Sequence, residues 1–201
     1  MEEILAITLR VTSVLERLKV LYLVGGSLAS SLHGIPRATQ GVDIVAVLDE
    51  SHVDPLVQAL KDLFYVDAPM IRSAIRHHSS FNLIYLPTMF KIDIFVPEQN
   101  ESSRIELERR VAYALDEPPH QEIIVASAED IIVQKLYWYK LGNEISDRQW
   151  QDVLGVLKVQ GNRIDRVYLE QAASPLNVTP LLQRALDDAN LSRSKNSIIE
   201  E

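Results

Sequence analysis

A glycine turn between a short apolar strand and a short helix constrains this chain more than any other feature. Leu21 to Val24 is an apolar run that predicts a strand, and Gly25, Gly26 and Ser27 follow it directly. Glycine adopts positive φ at little cost and lets a ligand approach the main chain closely. The segment from Ser27 to His33 predicts a helix, whose free N–H groups and positive dipole end would face the same point. The turn therefore favours a bound phosphate group.

Two aspartates interrupt strands that are otherwise apolar. Val42 to Leu48 predicts a strand that carries Asp43, and Phe90 to Val96 predicts another that carries Asp93. Burying a lone carboxylate is unfavourable unless a cation or a partner compensates. We expect the two strands to be neighbours, which makes Asp43 and Asp93 candidate metal ligands and catalytic residues. A structural ion pair is the alternative for either acid.

These residues resemble the nucleotidyltransferase fold of the DNA polymerase β superfamily. Members carry a Gly-Gly/Ser turn, then two aspartates separated by one residue on the next strand, then a third acid on a further strand. Gly25, Gly26 and Ser27 match the turn, while Asp43 matches the second acid and Asp93 the third. The resemblance implies an α/β (α+β) fold, with a mixed sheet flanked by helices and a helical C-terminal tail.

The position of the family's first acid is occupied by Gly41. Because residues i and i+2 of a strand face the same side, an aspartate at position 41 would stand beside Asp43. The resemblance implies phosphoryl transfer with Mg²⁺ or Mn²⁺, for which the family uses three acids. Glycine supplies no oxygen ligand, so the sequence leaves open an active enzyme, a weakened one and a non-catalytic nucleotide-binding protein.

Arg37-Ala38-Thr39 resembles part of the core of the same superfamily. Two further motifs resemble the tail of the AbiEii-like group, bacterial nucleotidyltransferases found as toxins in toxin–antitoxin systems. They are Ser127-Ala128-Glu129-Asp130 followed by Lys135-Leu136, and Asp147-Arg148 followed by Asp152. In that group a lysine and an aspartate on consecutive tail helices complete the nucleotide site, and Lys135 and Asp152 match them by position. Arg37 and Thr39 would brace the nucleotide-binding loop.

Lys135 and Asp152 also have purely structural interpretations. Lys135 lies among apolar residues of its predicted helix. It could be a surface lysine whose aliphatic stem covers these residues while its ammonium group reaches solvent. Asp152 stands four residues after Arg148, which is the spacing of an ion pair on a helix surface.

The resemblance implies Mg²⁺-dependent transfer of a nucleoside monophosphate from a nucleoside triphosphate to a hydroxyl group of an RNA, a protein or a small molecule. The alternatives are a non-catalytic nucleotide-binding protein and a toxin–antitoxin component that acts through an antitoxin protein. The net charge of −8 argues against a chain that coats nucleic acid, although it leaves room for a local basic site.

The change in character after Pro97 predicts two regions in the 201 residues, a nucleotidyltransferase-like head at 1–97 and a mostly helical C-terminal region at 98–201. The chain has no cysteine, which excludes a thiolate nucleophile and cysteine-bound zinc. Glu2 and Glu3 stand where a secretory signal carries basic residues, and the apolar runs are shorter than a membrane span. We therefore expect a cytoplasmic protein with no membrane partner.

Overall fold

The computed structural model describes residues 2–115 and 121–191. Strands in this part of the chain are β1 (Tyr22–Val24), β2 (Gly41–Ala46), β3 (Phe64–Tyr65), β4 (Ser80–Tyr85), β5 (Phe90–Phe95), β6 (Val111–Leu115) and β7 (Gln121–Val125). Helices are α1 (Glu2–Arg17), α2 (Gly26–His33), α3 (Glu50–Leu60), α4 (Ala68–His77), α5 (Glu101–Glu108), α6 (Ala128–Leu141), α7 (Asp147–Gln160), α8 (Arg166–Ala173) and α9 (Thr179–Asp188). The predicted mixture of helices and strands is confirmed.

The seven described strands form one mixed sheet in the order β3-β4-β5-β2-β1-β7-β6. Strand β2 is central, antiparallel to β1 and parallel to β5, so the expected adjacency of the two acid-bearing strands is confirmed. The β2–β5 register pairs Asp43 with Asp93, and the β4–β5 register pairs Asn82 with Asp93. Paired residues on neighbouring strands face the same side of a sheet. Asn82, Asp93 and Asp43 therefore form a row across three strands, called the carboxylate row below.

Alternation along these strands separates the core from the face that carries the row. Val42, Ile44, Ile92 and Ile94 are buried and belong to the core face. The side chains between them, including both aspartates, are only partly buried. The near-continuous apolar sequences of β2 and β5 thus do not enclose the acids fully, because every second residue faces away from the core. Both carboxylates remain within reach of a ligand from solvent.

The described residues fall into two compact units. One lies within Met1–Leu32 and Pro36–Ser127, and we call it the head unit; the other lies within His33–Ile35 and Ala128–Glu201, and we call it the tail unit. The head unit includes β6 and β7, which follow residue 97, the boundary that the sequence predicted. No helix within residues 2–115 and 121–191 combines the length and the apolar character that crossing a bilayer requires.

Candidate active site

The glycine turn joins β1 to α2 in the head unit and touches the carboxylate row. Gly26 has a φ of +56°, a conformation that glycine adopts readily. A Cβ atom at position 26 would lie only 1.7 Å from Oδ2 of Asp43. The Gly25 N–H group also donates a hydrogen bond of 2.8 Å to the main-chain carbonyl of Asp43. Glycine at position 26 is therefore what allows the Asp43 carboxylate to lie against the first turn of α2.

Arg37 connects the segment before β2 to the start of α2. Its Nη2 atom donates a hydrogen bond of 2.7 Å to Oγ of Ser27, and Nη1 donates one of 3.1 Å to the carbonyl of Ala38. Thr39 Oγ1 donates a hydrogen bond of 2.8 Å to the carbonyl of Gly41, at the beginning of β2. Arg37 thus contacts the residue that follows the two glycines, whereas the Thr39 bond stays within the segment that leads into β2. The Arg37 guanidinium also adds positive charge at the amino end of α2, which suits an anionic ligand.

Both oxygens of the Asp93 carboxylate are engaged by neighbouring side chains. Oδ1 accepts a hydrogen bond from Nδ2 of Asn82 on β4. Oδ2 lies 2.8 Å from Nζ of Lys91, and the Asp93 side chain is 19% exposed. Asn82 and Lys91 therefore belong to the site, although the sequence analysis does not single out either of them. Lys91 stands two residues before Asp93 in a strand, and this spacing is the signal that could have indicated it.

Gly41 and Lys91 are paired in the β2–β5 register, two residues along from the pair formed by Asp43 and Asp93 and on the same face. Where the family pattern has its first acid, this sheet therefore has a glycine facing a lysine. A Cβ atom at position 41 would lie 3.3 Å from the carbonyl oxygen of Lys91, so a side chain there requires this backbone oxygen to move by a few tenths of an ångström. Relative to the family pattern, Gly41 removes a negative charge from the site and Lys91 adds a positive one.

The residues present fit one magnesium or manganese ion but not the two-ion site of the family pattern. In residues 2–115 and 121–191, no group of three or more His, Cys, Asp or Glu side chains could hold a metal ion. One Mg²⁺ ion is commonly bound through one or two carboxylates together with substrate phosphates and water. Asp43 and Asp93 could supply such ligands beside a nucleotide. The second ion of a two-metal site lacks a carboxylate at position 41.

Lys135 and Asp152 lie in the tail unit, on α6 and α7. Lys135 Nζ is 2.9 Å from Oδ2 of Asp152, and the two side chains are only 6% and 5% exposed. The lysine is therefore a buried member of an ion pair, rather than a surface residue that reaches solvent with its ammonium group. Each charge compensates the other, since an unpaired ion at this depth would be strongly unfavourable.

Other buried polar groups of the tail unit are also paired. Glu129 Oε1 accepts a hydrogen bond of 2.8 Å from the N–H group of Asp165. The Tyr168 hydroxyl donates one of 2.5 Å to Oδ1 of Asp130. Both acids are in the first turn of α6, where they also complement the helix dipole. These bonds connect α6 to the segment that begins α8.

The sequence matches no protein-family model and no curated protein. Among solved structures, the chain is similar to an antigenic nucleotidyltransferase-like protein from Paracoccidioides brasiliensis. The two share 17% identity and a TM-score of 0.51, over 90% of this chain and 91% of that chain.

The chain is also similar to ANT(2'')-Ia, in a crystal structure of its complex with adenylyl-2''-tobramycin. That similarity has a TM-score of 0.54 at 10% identity and covers 88% of this chain and 98% of that chain. A solution structure of ANT(2'')-Ia, described as an antibiotic-resistance factor, gives a TM-score of 0.50 at 9% identity. At such identities the similarity establishes the fold alone. The chain has a nucleotidyltransferase-like fold, as its sequence predicted.

Proposed function

We propose that the head unit binds a nucleoside triphosphate with one Mg²⁺ or Mn²⁺ ion at the glycine turn, and that it transfers the nucleoside monophosphate weakly or not at all. The contact between Gly26 and Asp43 carries this proposal. It puts the N–H groups at the start of α2 and a carboxylate at the same point. A phosphate suits the N–H groups, and the cation that accompanies a triphosphate suits the carboxylate.

Each side chain has a role that follows from its position. The N–H groups of Gly26 and Ser27, together with the Arg37 guanidinium, would bind phosphate oxygens. Asp43 and Asp93 would hold the ion, which when bound neutralises charge that develops on the transferred phosphoryl group. Thr39 would keep the strand that carries Asp43 in place through its bond to Gly41. The missing carboxylate at position 41 is the reason to expect weak transfer.

The acceptor in this proposal is a hydroxyl group of a small molecule, a protein or an RNA. The adenylylated small molecule in the complex of the structurally similar ANT(2'')-Ia supports the first of these. A nucleotide-binding protein without transferase activity is the second candidate, and Gly41 is the observation that favours it. The AbiEii-like assignment, the RNA acceptor and the antitoxin partner stay predictions from the sequence resemblance.

Nucleotide binding predicts a thermal shift that depends on Gly26. ATP with Mg²⁺ at a hundred times its Kd should raise the melting temperature by about 5–10 °C, because the ligand stabilises only the folded state. Gly26→Ala should abolish this rise, because its Cβ atom would displace the Asp43 carboxylate. Differential scanning fluorimetry with and without Mg·ATP measures both effects.

Gly161→Ala is the matched control. Gly161 has a φ of +55°, and a Cβ atom there would meet nothing within 4 Å. The variant therefore also places an alanine at positive φ, but without the collision, and it should keep the full nucleotide shift. Arg37→Gln, which leaves the main chain of the turn unchanged, should reduce the shift. A full shift in Gly26→Ala would show that the nucleotide binds elsewhere.

A further inference from the structure

We infer that Lys91 is a built-in cation beside the carboxylate row. Its ammonium group occupies the position at Oδ2 of Asp93 that a metal ion would otherwise take. This inference deepens the proposed function and rests on its metal site. Lys91 acts through Asp93 as a positioning residue. It sets how strongly the carboxylate row attracts a divalent cation.

The first support is geometric. Lys91 precedes Asp93 by two residues in β5, so their side chains leave the same face of the sheet. Nζ of Lys91 reaches Oδ2 of Asp93 at 2.8 Å. Asn82 donates to the other oxygen of the same carboxylate. A metal ion that binds Asp93 through Oδ2 must therefore displace the ammonium group.

The second support is the pairing of Lys91 with Gly41. These residues are opposite each other on adjacent strands, where an acid at position 41 would face the lysine directly. The absence of an acid at position 41 and the presence of Lys91 both make the site less negative. The Lys91 ammonium group thus offsets one of the two carboxylate charges of the row, which lowers its attraction for a divalent ion.

The third support is the exposure of the two partners. The Lys91 side chain is 52% exposed, whereas that of Asp93 is 19% exposed. The ammonium group therefore belongs to a half-exposed side chain, whereas the carboxylate that it contacts is mostly buried. An exposed lysine can move away at modest cost, so Lys91 lowers the affinity for metal without blocking the site.

Manganese binding without nucleotide tests the inference. Electron paramagnetic resonance titrations with Mn²⁺ alone should show that Lys91→Met binds the ion on the order of tenfold more tightly than the unaltered chain, because a positive charge beside the site has been removed. Lys91→Arg should keep the original affinity. Asp93→Asn, added to Lys91→Met, should remove the gain.

Lys61→Met is the charge-matched control, because Lys61 is an exposed lysine of the head unit that follows α3. It should bind Mn²⁺ as weakly as the unaltered chain. Equal affinity in Lys91→Met and the unaltered chain, no detectable Mn²⁺ binding by Lys91→Met, or an equal gain in Lys61→Met would overturn the inference. Lys91→Gln repeats the test if the methionine variant does not fold. Since no nucleotide is present, the outcome is separate from that of the thermal-shift experiment.

Discussion

Turnover is expected to rise by about 10²–10⁴-fold when Gly41→Asp and Lys91→Met are combined, relative to the unaltered chain. Gly41→Asp would supply a third carboxylate on the face that carries Asp43, and Lys91→Met would remove the ammonium group opposite it. Groups that act together in a catalytic unit have effects of this size when one is lost or restored. Incubation with labelled nucleoside triphosphates, Mg²⁺ or Mn²⁺, and total RNA or small-molecule acceptors measures the gain.

The two substitutions should not contribute independently. Gly41→Asp alone should gain less than the double variant, because the new carboxylate would pair with Lys91 on the adjacent strand. Lys91→Met alone should not restore turnover, since position 41 would still lack a ligand. Asp43→Ala or Asp93→Ala in the double variant should remove the gained activity. Robust turnover by the unaltered chain, unimproved in the double variant, would show that another group has replaced the first acid.

Removing one member of the buried pair in the tail unit is expected to cost about 3–5 kcal/mol in the free energy of unfolding. Asp152→Ala would leave the Lys135 ammonium without its carboxylate at a site where both side chains are almost fully buried. Lys135→Met should have a comparable effect for the opposite charge. Urea denaturation followed by circular dichroism measures these losses, with the midpoint and the slope determined for each variant.

An exposed ion pair provides the comparison. Arg104 and Glu108 on α5 lie 2.7 Å apart with side chains 60% and 59% exposed, so Arg104→Ala should cost less than about 1 kcal/mol. The double variant Lys135→Met, Asp152→Leu should recover most of the lost stability, because neither charge then remains unpaired. A cost for Asp152→Ala no larger than that for Arg104→Ala would contradict the assignment of a buried, mutually dependent pair.

The same double variant separates the two interpretations of Lys135 and Asp152. The family resemblance gives these residues a role in nucleotide binding, whereas their burial and mutual contact suit a structural role. If the role is structural, the stable double variant should keep the melting-temperature rise with Mg·ATP. If the role is nucleotide binding, the rise should disappear while the fold is retained. Thermal shifts of the double variant therefore distinguish the two roles. Single substitutions cannot, because each of them also destabilises the fold.

The glycine turn and the two acid-bearing strands could be predicted because their signals are local. Gly25 and Gly26 end an apolar run, and each aspartate interrupts one, so a short window of sequence reveals them. Helix α4 also carries a local signal, a cap in which the Asp67 side chain accepts a hydrogen bond from the N–H group of Met70. Its apolar residues are few but follow helical spacing, with Ile71 and Ala74 buried.

The role of Lys91 could not be predicted in the same way. Its spacing from Asp93 is visible in the sequence, but its position opposite Gly41 depends on the register of two parallel strands that are far apart in the chain. Register is fixed by tertiary packing of alternate residues, and a shift by one residue would move every side chain to the other face. The ion pair of Lys135 with Asp152 likewise depends on how two helices pack.

The strand order also has a consequence for how the site assembles during folding. Asn82, Lys91 and Asp93 all belong to the antiparallel β4–β5 hairpin, whose closure requires only a short loop. Asp43 joins them through a parallel pairing that closes a much longer loop, and long-range pairing of this kind is slow. The hairpin can therefore give Asp93 its amide and ammonium partners early. The cation of the proposed function would meet both carboxylates only after β2 docks beside β5, so its binding would report the native sheet late in folding.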